Sequence, residues 1–236
     1  RGMAMCCSER PQWTAEQKQF LASFDVVVSY LYDPGGTLRR NLLAAGARQV
    51  LGASPLVSAC HAVDHLLQPL QELAIYPEGQ PAPRLPVPES ARAAARDRLQ
   101  REGWDTAAWM IHPGSGGAAK NWPLEHYLQL ARQAPAGVWV LLGEAEEEQA
   151  AAWRREGPGV RLVVRPSLEE AAALLSWTNT YVGNDSGITH LAAAVGAPVT
   201  ALFGPSEARM WAPRGPRVSL VQAPESRMEA LPVERV

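Results

Sequence analysis

Cysteine is scarce: Cys6, Cys7 and Cys60 are the three in a chain of 236 residues. They are too few and too badly spaced for a disulfide framework or a Cys-x-x-Cys metal site, which fits a reducing compartment, the cytoplasm by default. Long hydrophobic runs are missing too. No stretch approaches about 18 uninterrupted apolar residues, so nothing reads as a bilayer span, and no charged-then-apolar signal segment opens the chain. Neither sign of charge is in excess; with a net charge of −2 there is no large basic field, which argues against a nucleic-acid partner. What is present is material for a core. Hydrophobic residues make up 47% of the chain, which suffices for one large domain or two small ones.

Arg1-Gly2-Met3-Ala4-Met5 does not look like a natural beginning, and the first clear strand comes only at 24–30, so residues are expected ahead of position 1. Before it, 14–22 has the makings of a short helix. The run 24–30 is a strand of the buried type, its apolar residues bounded by polar ones. Asp33-Pro34-Gly35-Gly36 is turn chemistry, 38–45 reads as a helix closed by Gly46, and Val50-Leu51 as a short strand. Val63, Leu66, Leu67, Leu70 and Leu73 recur at three and four, which predicts a helix over 61–73. Five prolines (Pro77, Pro81, Pro83, Pro86, Pro88) then interrupt the chain, and proline both lacks a donor and disfavours helix before it. The domain boundary is placed there: an N-terminal Rossmann-like domain over 1–76, a linker over 77–89 and a second Rossmann-like domain over 90–236.

After a helix at 90–101, the second half alternates regularly. Strands are expected at 107–111, 138–142, 160–164, 181–183 and 199–203, with helices at 123–134, 145–156, 168–176 and 188–195. Pro123 suits a first helical position, and Ser167-Leu168-Glu169-Glu170 reads as a capping box. Strict alternation implies α/β architecture with a parallel, doubly wound sheet, whose ligand edge is the set of loops following the strands.

Those loops carry anion and sugar chemistry. His112-Pro113-Gly114-Ser115-Gly116-Gly117 and Lys120 offer glycines for close backbone approach, a hydroxyl and a mobile cation, although the spacing is not that of a P-loop. Gly114, Gly116 and Ala119 also form a weak G-x-G-x-x-A dinucleotide pattern. One of the glutamates at 144–148 is placed to accept ribose hydroxyls, though acidic residues at a helix start also suit its dipole with no ligand at all. Arg165-Pro166-Ser167 could meet a base edge, or the serine could simply cap. Asp185 could accept sugar hydroxyls while the Ser186 and Gly187 amides hold phosphate oxygens at a helix N-terminus. Equally, Asp185 could be a plain N-cap and His190 a packed core histidine. Four such loops on one edge make coincidence much less probable than any one loop does alone.

The ordered set His112-Pro113-Gly114-Ser115-Gly116…Lys120-Asn121-Trp122-Pro123, Val182-Gly183-Asn184-Asp185-Ser186-Gly187…His190 and Phe203-Gly204-Pro205-Ser206…Trp211 resembles glycosyltransferase family 9, the ADP-heptose:lipopolysaccharide heptosyltransferase-like family. The sequence departs from the family at Ile188, where proline is usual. It also departs at Gly143-Glu144-Ala145-Glu146-Glu147, a reduced form of a Gly-Gly-Pro-x-Glu pattern. The glycine- and aspartate-containing first strand and loop, which carry the catalytic base, are absent.

The resemblance implies a GT-B fold: two Rossmann-like doubly wound domains facing a cleft, the N-terminal one incomplete. It further implies inverting transfer of a sugar, a heptose, from an ADP-sugar donor to a lipid-linked lipopolysaccharide-core acceptor, at the inner face of the cytoplasmic membrane. Donor-binding positions carried over are Ser115, Gly116, Lys120, Glu147, Ser167, Leu168, Asp185, Ser186, Gly187 and His190, with Lys120 stabilising the leaving diphosphate. Metal and cofactor are then unnecessary, and a base from the N-terminal domain deprotonates the acceptor. Two other readings stay open: a nucleotide-binding module without catalysis, favoured if the chain truly begins at Arg1, and an NAD-dependent dehydrogenase resting on Gly114, Gly116 and Ala119 alone.

Overall fold

The computed structural model describes residues 3–103, 108–157 and 159–236, so the expected strand start at Ala107 lies outside the described residues. The chain forms two compact units, Arg1–Pro81 and Ala82–Val236.

In the first unit, α1 (Ala15–Ala22) starts at a reciprocal capping box. Thr14 Oγ1 accepts the Gln17 N–H at 3.2 Å and Gln17 Oε1 accepts the Thr14 N–H at 3.0 Å, so two free donors are satisfied together. Strand β1 (Val26–Ser29) pairs in parallel with β2 (Gln49–Gly52), and α2 (Thr37–Ala44) connects them. The Asp33 carboxylate accepts the Leu38 and Arg39 amides at the start of α2, and these bonds, Arg39's foremost, hold its pKa below the usual carboxylate range.

Two expectations fail here. The strand at 24–30 is not of the buried type: its core, β1, is only half-buried, because it has one paired neighbour, and Val28 is exposed. The helix expected over 61–73 breaks into α3 (Ala62–Leu67) and a 3-10 segment (Gln68–Leu73). Pro69 is the cause, since it has no N–H to give the carbonyl four residues back.

In the second unit, α4 (Glu89–Arg101) leads to β3 (Trp109–His112), α5 (Leu124–Ala131), β4 (Val138–Leu142), α6 (Ala150–Arg155), β5 (Val160–Val164), α7 (Leu168–Leu175), β6 (Tyr181–Asn184), α8 (Gly187–Ala194), β7 (Val199–Phe203), α9 (Ala208–Trp211) and β8 (Val218–Gln222). All six strands are parallel, in the spatial order β5-β4-β3-β6-β7-β8. The chain therefore winds outward from β3 in one direction, returns to the other side of β3 with β6, and winds outward again.

Alternate strand residues serve opposite faces. Met110, Trp139, Leu141, Tyr181 and Phe203 pack with α4, α7 and α8, whereas Ile111, Val138, Val140, Leu142, Val182 and Leu202 pack with α5, α6 and the C-terminal tail. This period of two, with both faces covered, is what makes the strand sequences read as continuous apolar runs.

Four details correct the sequence reading. The sheet has a sixth strand, β8, whose short alternating run at a half-exposed edge gives little signal. Pro123 occupies the N-cap of α5, not its first turn. The helix expected from Ala145 begins only at Ala150, after a 3-10 turn over Glu147–Gln149. At α7 only half of the capping box forms: Ser167 Oγ accepts the Glu170 N–H at 3.1 Å, but the Glu170 carboxylate turns to Arg98 on α4.

The entry into β4 constrains one residue sharply. Gly137 has φ +81°, and a methyl group there would overlap the Gly159 carbonyl, which is fixed because the Val138 N–H donates to it. The substitution Gly137→Ala is expected to cost about 1–3 kcal/mol through strain and clash together; urea denaturation measures it, and an unchanged midpoint would contradict this placement.

Candidate functional site

The strand order reverses between β3 and β6, and a crevice forms in an open α/β sheet at such a switch point, outside the carboxyl ends of the strands. The loops after β3 and β6 meet there, and Asn184, the last residue of β6, joins them. Fully buried, its Oδ1 accepts the Trp122 N–H and the Tyr127 hydroxyl, both at 3.0 Å, while its Nδ2 donates to the Pro113 carbonyl at 2.8 Å. Burial keeps the Tyr127 phenol well above its ordinary pKa, so it stays a neutral donor.

Above this junction Lys120 Nζ donates to Asp185 Oδ2 at 2.7 Å. The lysine side chain is 39% exposed and the aspartate 10%. Lys120 is one of two lysines in the sequence, the other being Lys18. The next residue, Ser186, is the N-cap of α8, its Oγ accepting the Thr189 N–H at 3.3 Å. The plain N-cap reading of Asp185 is thereby overturned. Helix geometry leaves the Gly187 and Ile188 amides without an intrahelical acceptor, so a helix N-terminus lies beside the lysine. His190 is exposed, not packed in the core. Ser115 shares its hydroxyl proton between Asn121 Oδ1 (2.6 Å) and the Gly117 carbonyl (2.9 Å), and so shapes the turn itself.

The G-x-G-x-x-A string does not open a helix. It runs into a single 3-10 turn over Ala118–Lys120, with α5 starting only at Leu124, so the dinucleotide geometry that the dehydrogenase reading needs is missing.

A second group lies at the ends of β4 and β5. The Glu147 carboxylate pairs with Arg165, 2.5 Å from Nη2 and 2.8 Å from Nε. Arg165 adopts φ +50°, a strained choice for a residue with a side chain, and strain of this kind gathers at ligand sites. Ser167 and the exposed Leu168 follow it directly.

Glu146, which the sequence offers as one of the glutamates at 144–148 without singling it out, sits between the two groups: it is 6% exposed, and its Oε2 accepts the Gly143 N–H at 2.9 Å. Asn184 was not singled out either. Its position in the Asn184-Asp185-Ser186-Gly187 turn was visible, but its three long-range bonds were not. Among the described residues no three His, Cys, Asp or Glu side chains cluster to hold a metal, and no helix is long and apolar enough to cross a membrane.

The sequence model of glycosyltransferase family 9 (heptosyltransferase) matches residues 54–234, spanning both groups. The chain belongs to this family. Its relatives include the lipopolysaccharide heptosyltransferase 2 of Salmonella typhimurium, 36% identical over 104 residues, which is 38% of this chain and 28% of that protein. The matched stretch spans only 28 to 42% of the length of such named relatives. Among solved structures, a family 9 glycosyltransferase from Veillonella parvula superposes with a TM-score of 0.71 at 20% identity, covering 88% of this chain and 66% of that one. The Escherichia coli heptosyltransferase WaaC, solved with ADP, gives 0.68 at 21% identity, covering 93% and 74%. The family 9 fold class is therefore α/β of the GT-B type, as the resemblance implied.

Two tests bear on the architecture of the site. Asn184→Ala strands two donors and a carbonyl in the interior at about 1–3 kcal/mol each, so a loss of about 3 kcal/mol or more is expected in chemical denaturation. Burial also depresses the pKa of His112, whose Nδ1 donates to the Leu141 carbonyl at 2.9 Å. The unfolded chain then takes up a proton that the folded chain resists. Stability is full above the ordinary imidazole pKa of about 6.5 and is lost as pH falls from there toward the lowered folded value. The thermal midpoint should fall more steeply between about pH 7 and pH 5 in the native protein than in His112→Asn; parallel curves would remove His112 as the cause.

Proposed function

We propose that this family 9 member transfers a sugar, a heptose, from an ADP-sugar to a lipopolysaccharide-core acceptor, with inversion at the anomeric carbon. The observation that carries the reading is the Lys120–Asp185 pair at the sheet's switch point, beside the start of α8. A diphosphate needs a mobile cation and unspent amides, and a sugar needs a buried carboxylate for its hydroxyls; all lie within one pair of loops. The names of the relatives, lipopolysaccharide heptosyltransferases, and the ADP held by one structural neighbour support the choice of donor.

In this reading the acceptor oxygen attacks the anomeric carbon as the bond to the diphosphate breaks. Charge builds on the departing ADP, where Lys120 and the backbone amides of Gly116, Ser186 and Gly187 stabilise it, while the Ser115 hydroxyl holds the shape of the turn. Asp185 orients the sugar, with His190 on the outer side of the same helix turn. Glu147 receives the ribose hydroxyls, and Ser167 and Leu168 border the adenine. The acceptor's proton goes to a general base, a role that the resemblance gives to the family's N-terminal glycine- and aspartate-containing loop in the acceptor-side domain and to no named residue of this chain. The acceptor is lipid-linked, which places the reaction at the cytoplasmic membrane surface.

Lys120 is 39% exposed but Asp185 only 10%, so Lys120→Ala leaves a largely buried carboxylate unpaired and should lower the thermal midpoint, at a cost of about 1–3 kcal/mol, without unfolding the protein. The substitution should lower ADP-heptose turnover by about 100-fold or more. Wild-type turnover in that variant would sink the leaving-group role, and calorimetry with ADP-, GDP- and UDP-sugars side by side would sink the donor if ADP-sugars were not preferred.

A further inference from the structure

We propose that Glu146 is a positioning residue that locks the turn after β3 to the turn after β4, and so sets the spacing between the phosphate-facing and ribose-facing loops. The proposal rests on the transferase reading above, because it gives the two loops their roles.

The geometry is that of a brace. Glu146 precedes the 3-10 turn Glu147–Gln149, yet its side chain looks backward and accepts the Gly143 N–H. The other carboxylate oxygen, Oε1, lies against Gly114 so closely that a methyl group there would overlap it, and a methyl at Gly143 would stand 2.8 Å from Oε2. A side chain at Gly114 would displace the carboxylate and one at Gly143 would press on its end, although neither glycine has positive φ. Beneath them lies buried His112, whose imidazolium form the Glu146 charge favours against its burial. A surface serine or aspartate could close the 143–146 turn while staying hydrated. Burying a carboxylate instead carries a desolvation cost, and what this arrangement adds is the contact with the β3 loop. Glu144, two residues earlier, shows the alternative: its side chain is 86% exposed.

The test is a double-mutant cycle of Gly114→Ala and Glu146→Ala, with Glu146→Gln as the conservative variant. The readouts are ADP affinity by calorimetry, KM and kcat for the ADP-sugar, and the thermal midpoint. Each single substitution should weaken ADP binding by about ten-fold and raise KM more than it lowers kcat. The double variant should be no weaker than Glu146→Ala alone, because the added methyl then has room. Glu146→Gln should return to within about two-fold of wild type, since its amide oxygen still accepts the Gly143 N–H.

Losses that add in the double variant, or wild-type affinity in Glu146→Ala, would overturn the brace. If the unaltered protein fails to bind ADP at all, the donor reading falls, and the brace is judged on the four thermal midpoints: non-additive shifts sustain it and additive shifts overturn it. Independently of any nucleotide, NMR titration of His112 should give a lower pKa in Glu146→Gln, because a neighbouring negative charge is gone; no change would place the carboxylate too far away.

Discussion

The site depends on one side chain, the Asn184 amide. Reversal of strand order between β3 and β6 opens a crevice, but parallel pairing fixes only the strands; the loops beyond them need their own ties. Asn184 supplies three at once, to Trp122, Tyr127 and Pro113, in a setting where each lost bond would leave a buried polar group unsatisfied. The turn holding Lys120 therefore stands on the core of the second unit. That core reaches further, since Trp122 Nε1 donates to the Leu231 carbonyl of the C-terminal tail. A long stretch of chain thus converges behind a loop with little secondary structure of its own.

The charges in front of this rigid base are arranged differently. Lys120–Asp185 and Arg165–Glu147 are both partly hydrated pairs, of the sort that contributes little to folding. Arg132 and Glu156, by comparison, form a two-bond clamp between the ends of α5 and α6, and it holds the glutamate pKa down. Weak pairing suits groups that must exchange partners. A cation 39% exposed is kept near the carboxylate without being fully desolvated itself, and in the transferase reading a diphosphate is the partner that it would turn to.

Much of this was legible in the sequence because periodicity and turn chemistry are local. The strand at 199–203 and the cap at Ser167 follow from neighbours within a few residues. The convergence of Lys120 with Asp185 could be expected from strand alternation and the resemblance together. What escaped was set by distance or competition. Pro69 falls within the leucine repeat at 63–73, and spacing alone does not register a missing N–H. Glu170 looked like the second half of a capping box, but Arg98, 72 residues away, claims its carboxylate. Glu147 was singled out among similar glutamates, and nothing local distinguishes it from Glu146; only the fold reveals that one reaches Arg165 while the other is buried against Gly114.

The glycines sharpen that point. A glycine-rich loop is usually read as backbone making way for a phosphate, and one explanation is then applied to every glycine in it. Here they separate into two kinds. At Gly114 the space is filled by the Glu146 carboxylate, and at Gly183 by the Tyr181 hydroxyl and Thr189, so protein atoms themselves exclude a side chain. At Gly116, Gly117 and Gly187 an added Cβ meets nothing within 4 Å, and none of the three has positive φ. Neither crowding by the protein nor backbone conformation demands glycine there. These three flank Lys120 and the start of α8, where the transferase reading brings a diphosphate close to the backbone. The crowded glycines hold the loops in place, and the open ones leave room for what the loops would bind.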